Sequence, residues 1–115
     1  MTTPVGRVAR VLLDESVPHD LLLHLTGFDA ATVQARGWSG MKNGVLLRTA
    51  REAGFQALVT VDRRLEYQQN IPKSGLALLV LQARSTRVSD LLPLIPALRT
   101  ALREARAGEV VRVAA

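Results

Sequence analysis

The chain has 115 residues, 48% of them hydrophobic, which suits one self-sufficient domain over residues 1–115 and is too short for two. The absence of cysteine excludes disulfides and thiolate metal sites, and no run of about 20 uncharged apolar residues occurs that could span a membrane. A formal charge of +5 invites a polyanionic partner, RNA or DNA, although all but two basic residues (Lys42 and Lys73) are arginine, as a GC-rich genome would also produce.

Aromatic residues make up only 3% of the chain, so stacking on single-stranded bases is not expected to be the main binding device. The first ten residues hold basic side chains but no apolar run followed by a cleavage-like site. The expectation is therefore a cytoplasmic protein without a signal peptide.

Val8 to Leu13 is an apolar run, broken only by Arg10 and ended by Asp14-Glu15, as in a strand covered on both faces. Ser16 is read as the N-cap of a following helix, with Pro18 in its first turn and Asp20 near the positive end of its dipole. Leu21, Leu22, Leu25 and Phe28 form its stripe, and Gly27 ends it. Ala30 to Val33 is a short second strand. Asn43 is expected to cap a second helix that turns Val45, Leu46, Thr49 and Ala50 inward and stops at Gly54. Ala57 to Val61 and Leu76 to Leu81 read as the third and fourth strands. A third helix should begin near Ser89-Asp90 and reach about Ala107, with Leu91, Leu94, Ile95, Leu98 and Leu102 on one face. Pro93 is tolerable in a first turn, whereas Pro96 should kink or delay the helix. Val110 to Val113 is the fifth strand. Two stretches, Gln34 to Lys42 and Arg63 to Gly75, read as long loops.

Strands alternating with helices predict an α/β three-layer sandwich around a mainly parallel five-stranded sheet, in the order 2-1-3-4-5. Right-handed crossovers then assign each helix to a face. In such folds ligands bind beyond the carboxyl ends of the strands, where the strand order reverses. Asp14 and Glu15 follow the first strand and Asp62 follows the third, so the reversal point lies between them. Two carboxylates facing each other repel unless a cation or proton intervenes. Oxygen ligands without His or Cys favour Mg²⁺ or Mn²⁺, and such an ion suits phosphodiester hydrolysis. The plain alternative is that an acid after a strand merely caps the next helix.

The segments Val11-Leu12-Leu13-Asp14-Glu15-Ser16-Val17-Pro18, Gly37-Trp38-Ser39-Gly40-Met41-Lys42-Asn43-Gly44, Leu58-Val59-Thr60-Val61-Asp62 and Tyr67-Gln68-Gln69-Asn70 occur in this order. Together they resemble a bacterial branch of PIN-like proteins, related to the toxin ribonucleases of toxin–antitoxin pairs. The resemblance implies a PIN-like fold and Mg²⁺- or Mn²⁺-dependent RNA cleavage by Asp14, Glu15 and Asp62, which would hold the metal. Thr60 would be a supporting hydroxyl. A small antitoxin-like protein and a homodimer are the implied partners. Two departures stand out. Where relatives place an acid early in the second helix this chain has Val45, and a second acid after the Thr-x-Asp block is replaced by Arg63-Arg64.

Arg63 and Arg64 are the best candidates for phosphate contacts. Lys42 and Asn43 at a helix start could meet a phosphate as well, and Gln69 in its amide-rich stretch could grip a base. Each has an ordinary structural role as its alternative: a solvated loop pair, a cap, a loop tied to itself. Trp38 in its Gly-flanked loop could stack on a base but is expected rather to pack over the edge of the core, and His19 and His24 to be surface or half-buried residues. The departures support a second function, a PIN-like module that has lost activity and binds nucleic acid or a protein. A phospho-acceptor receiver domain fits poorly, because no lysine follows the fifth strand.

Overall fold

A computed structural model describes residues 9–115. Five parallel strands, β1 (Arg10–Leu13), β2 (Asp29–Thr32), β3 (Ala57–Thr60), β4 (Ala77–Leu81) and β5 (Val110–Val113), form one sheet in the order β2-β1-β3-β4-β5. This is the predicted architecture, and the strand positions agree to within a residue or two. Val8, expected to begin the first strand, lies outside the described residues.

The side-chain period of two divides the sheet residues between two cores. Val11, Leu13, Val59, Leu79, Leu81 and Val113 point to one face, where they meet Leu21 and Leu25 and the helical leucines 91, 94, 98 and 102. Leu12, Leu58, Leu78 and Val80 point to the other, against Leu46, Leu47, Ala50, Leu65 and Ile71. Both faces of the central strands are dry, which explains their unbroken apolar runs. Truncating a wholly buried residue such as Leu12 or Leu58 to alanine should cost about 2–5 kcal/mol.

The helices depart from the sequence reading in instructive ways. After β1 the chain forms a 3-10 helix, His19–His24, that starts at Pro18. Its i→i+3 bonds include Leu21 N to Pro18 O and Leu25 N to Leu22 O, and a separate turn closed by Phe28 N to Leu25 O follows it. Ser16 does not cap it, because its hydroxyl is engaged elsewhere. Helix α1 (Asn43–Glu52) includes Asn43 as its first residue, not as its cap; the cap position is Lys42, which makes no side-chain capping bond. Its buried residues are Leu46, Leu47 and Ala50, so the stripe is rotated by about one position from the predicted one and Val45 is left 40% exposed.

The stretch 63–75 is not a plain loop but contains two single-turn helices, α2 (Leu65–Gln68) and α3 (Ile71–Ser74), which place Leu65 and Ile71 in the second core. The predicted third helix is broken into α4 (Val88–Leu91), a 3-10 turn (Leu92–Leu94) and α5 (Ile95–Glu104). Pro93 and Pro96 each sit in the first turn of a new segment, where the missing N–H costs nothing. The four leucines stay on one face despite the break.

One expectation about handedness does not hold. The chain moves in the same direction across the sheet from β3 to β4 and from β4 to β5. Yet α2 and α3 cover one face and α4–α5 the other, beside the 3-10 helix. The β4–β5 crossover therefore has the opposite hand from the β3–β4 crossover, against the single-hand rule for parallel strands. Arg99 of α5 fixes the arrangement: its guanidinium donates to the carbonyls of His24 (3.1 Å) and Thr26 (2.7 Å) and lies 5.4 Å from the Phe28 ring centroid.

Candidate active site at the carboxyl edge of the sheet

The connections from β1 and β3 leave toward opposite faces, so a crevice opens between the loops that follow them. Asp14 continues the β1–β3 ladder by one residue, its N–H donating to Val59 O at 2.9 Å. Its carboxylate is held through a single oxygen. Ser16 Oγ donates to Asp14 Oδ2 at 2.8 Å, and Thr60 Oγ1, wholly buried at the end of β3, donates to the same oxygen at 2.9 Å.

Each hydroxyl has one proton and spends it on Asp14; each then accepts a backbone N–H. Ser16 Oγ takes the N–H of Val61 (3.3 Å), and Thr60 Oγ1 takes that of Asp62 (3.0 Å). The result is a closed polar knot that ties the ends of β1 and β3 together and leaves Asp14 Oδ1 without a hydrogen bond from the described residues. Sequence reasoning found Thr60 but misread Ser16 as a cap. The signal for its role is the local Asp-x-Ser spacing beside Thr60, which only strand pairing makes readable.

Asp62 stands on the same edge, and its backbone joins the knot. Its Oδ1 accepts the N–H of Arg64 (2.9 Å) and the Arg64 Nε–H (3.3 Å), while Oδ2 takes no bond from the described residues. Glu15 is turned away: its Oε1 accepts the Gly40 N–H at 2.6 Å and so pins the loop before α1. Gly40 has φ +79°, a left-handed conformation open to glycine, which allows this approach. Among the described residues, no group of three or more His, Asp or Glu side chains lies close enough together to hold a metal ion.

As donors, Asp14 and Asp62 each offer one free carboxylate oxygen on neighbouring strand ends. An all-oxygen pair of this kind suits Mg²⁺ or Mn²⁺, which retains several waters and is commonly held by one or two carboxylates plus substrate phosphate. Glu15 is not part of that donor set in this conformation.

Comparison with protein-family models, with curated proteins and with solved structures gave no match.

The other predicted contacts divide into two groups. Lys42, Asn43, Gly44, Val45, Arg48 and Gln69 together line a shallow groove of about 560 Å³ at the head of α1. Gln69 lies so close to Gly44 that a Cβ there would sit 3.3 Å from its Oε1. Arg63 is exposed beside Asp62, whereas Arg64 is engaged by it. Trp38 packs edge-on against Phe55 (6.0 Å between centroids, 80° between planes), with Arg36 stacked over it at 4.8 Å, so it belongs to the rim of the core. Asn70 accepts the Lys73 N–H and caps α3. His19 pairs with Asp20 on the surface.

Glu66, the remaining acid after Asp62 in this stretch, receives a two-pronged bond from Arg112 (3.0 and 2.9 Å). Arg112 also donates to the Tyr67 hydroxyl (3.1 Å), and this bond, then Glu66, raises its pKa further above the ordinary arginine value. A larger concavity, about 680 Å³, lies between α5 and β5 and is lined by Ala97, Ala101, Val111 and Val113 among others. It lies apart from the oriented carboxylates. The carboxyl edge carries the functional argument because its side chains are held in fixed positions.

Proposed function

We propose that the chain is a PIN-like, Mg²⁺- or Mn²⁺-dependent endoribonuclease, of the kind that serves as the toxin of a toxin–antitoxin pair. The observation that carries this reading is the carboxylate of Asp14, anchored through one oxygen by Ser16 and Thr60 and free at the other, at the point where strand order reverses. Such preorganisation matters because a carboxylate that is already oriented loses little entropy on binding a ligand. Asp14 and Asp62 would hold the ion, which when bound would activate water and neutralise charge on a phosphate oxygen.

The chain's own contribution is orientation. Thr60 keeps Asp14 in one rotamer and couples it to the Asp62 backbone, Ser16 supports the same oxygen, and Arg63 offers a cation for the phosphate. Gln69, Asn43 and Lys42, gathered in one groove, would hold the flanking nucleotide. A cytoplasmic setting, an antitoxin-like protein and self-association into a homodimer belong to the same reading. No helix among the described residues is long and apolar enough to cross a membrane.

Two observations favour a second reading, a nucleic-acid-binding module with impaired catalysis. Arg64 occupies one oxygen of Asp62, and the exposed residue at the head of α1 is Val45 rather than an acid. A cleavage assay on single-stranded RNA with Mn²⁺ decides between them. The nuclease reading requires cutting that depends on Mn²⁺ and disappears in Asp14→Asn. Retention of RNA without cutting, and without Mn²⁺ binding by calorimetry, establishes the binding module.

A further inference from the structure

We propose that the β4–α4 loop, through Arg84 and Arg87, is a second phosphate-binding element that continues the RNA path beyond Arg63. It extends the RNA reading above to a loop outside the acidic crevice, and rests on that reading for the identity of the polymer.

The sheet register places this loop. Thr60 pairs with Val80 across β3 and β4, so the two strands end side by side, about 4.8 Å apart, and Arg63 and Arg84 open adjacent loops at the same edge. Arg63, Arg84 and Arg87 are all exposed.

No acid on this edge forms an ion pair with them among the described residues. Asp62 takes Arg64, Glu66 takes Arg112, Glu15 takes Gly40 N–H, and Asp14 takes the two hydroxyls. Asp90, the nearest acid in sequence, accepts the Ser85 hydroxyl at 2.6 Å, and Ser85 Oγ in turn accepts the Arg87 N–H at 3.1 Å. That local bonding stiffens the loop while leaving both guanidinium groups without an acidic partner among the described residues.

Three exposed cations on neighbouring loops, without an acidic partner among the described residues, match a polymer of regularly spaced charges. The stretches 63–64 and 82–87 expose no large apolar side chain, so they lack the anchor an acidic amphipathic peptide would need.

The test is fluorescence polarisation of the full chain with a short fluorescein-labelled single-stranded RNA, in EDTA to prevent cutting, across a KCl series. Arg84→Ala/Arg87→Ala should weaken binding roughly tenfold at low salt. It should also lower the slope of log affinity against log salt by about 1.4, or about 0.7 for each lost phosphate contact. Arg103→Ala/Arg106→Ala, which removes the same charge at the opposite edge, should leave both quantities near wild type.

The proposal is overturned if Arg84→Ala/Arg87→Ala binds like wild type, if both pairs weaken binding equally, or if wild type does not retain the RNA. Displacement of the RNA by polyglutamate at equal charge concentration would assign the loop to an acidic protein, and also overturns it. RNA that is retained yet uncut when Mn²⁺ is supplied sinks the nuclease reading and leaves this one standing. RNA cut normally while Arg84→Ala/Arg87→Ala binds unchanged does the reverse.

Discussion

Thr60→Val is the sharpest probe of the knot that orients Asp14. The substitution keeps the shape of a wholly buried side chain but removes a hydroxyl that donates to Asp14 Oδ2 (2.9 Å) and accepts the Asp62 N–H (3.0 Å). Leaving a partly buried donor and a carboxylate each short of one bond costs about 1–3 kcal/mol, and the added methyl returns up to about 0.8 kcal/mol. The net expectation is about 1.5 kcal/mol of lost stability, a drop in Tm of roughly 6 °C for a domain of this size. The loss should be shared with Asp14. In a double-mutant cycle with Asp14→Ala, followed by urea denaturation, the coupling should be about 1–2 kcal/mol, since the bond is to an ionised group. Additivity within about 0.4 kcal/mol, or a Thr60→Val protein as stable as wild type, would refute the idea that this hydroxyl organises the site.

Three further outcomes follow from the same geometry. Arg64→Ala should change stability by less than about 0.5 kcal/mol, because the Arg64 side chain is 79% exposed, yet should tighten Mn²⁺ binding measured by calorimetry by releasing Asp62 Oδ1. Gly108→Ala should lower stability by about 1–2 kcal/mol in urea denaturation, since φ is +87° and the new Cβ would meet the Pro72 backbone oxygen at 3.1 Å. Arg99→Ala should cost about 1 kcal/mol and raise amide exchange in residues 19–28, where its two carbonyl contacts close the 3-10 helix.

The sheet was legible because its signal is redundant. Four-residue apolar runs such as Leu78 to Leu81, buried on both faces, leave little freedom in where a strand begins and ends. Helix details were less legible. Val45 and Leu47 are equally apolar, and only the docking angle of α1 decides which is covered. The single-turn helices α2 and α3 are too short for periodicity to register. At the site, Asp14 and Asp62 were placed by topology alone. The roles of Ser16 and Glu15 depended on contacts 44 and 25 residues away, to Thr60 and Gly40, which no local pattern encodes.

The reversed hand of the last crossover has a consequence for solubility. With α4–α5 carried to the other side, the face of β5 that bears Arg112, whose side chain is 56% exposed, is met by Glu66 and Tyr67 of α2. That strand reads Val110-Val111-Arg112-Val113, so a single guanidinium interrupts an otherwise uniform valine ribbon with an open hydrogen-bonding edge. Its grip on Glu66 and Tyr67 holds the charge at the border strand, where it would deter another molecule from adding a strand. A charge on a border strand is a general deterrent to self-templating, and the way the chain crosses its own sheet decides that here the charge is the one at Arg112.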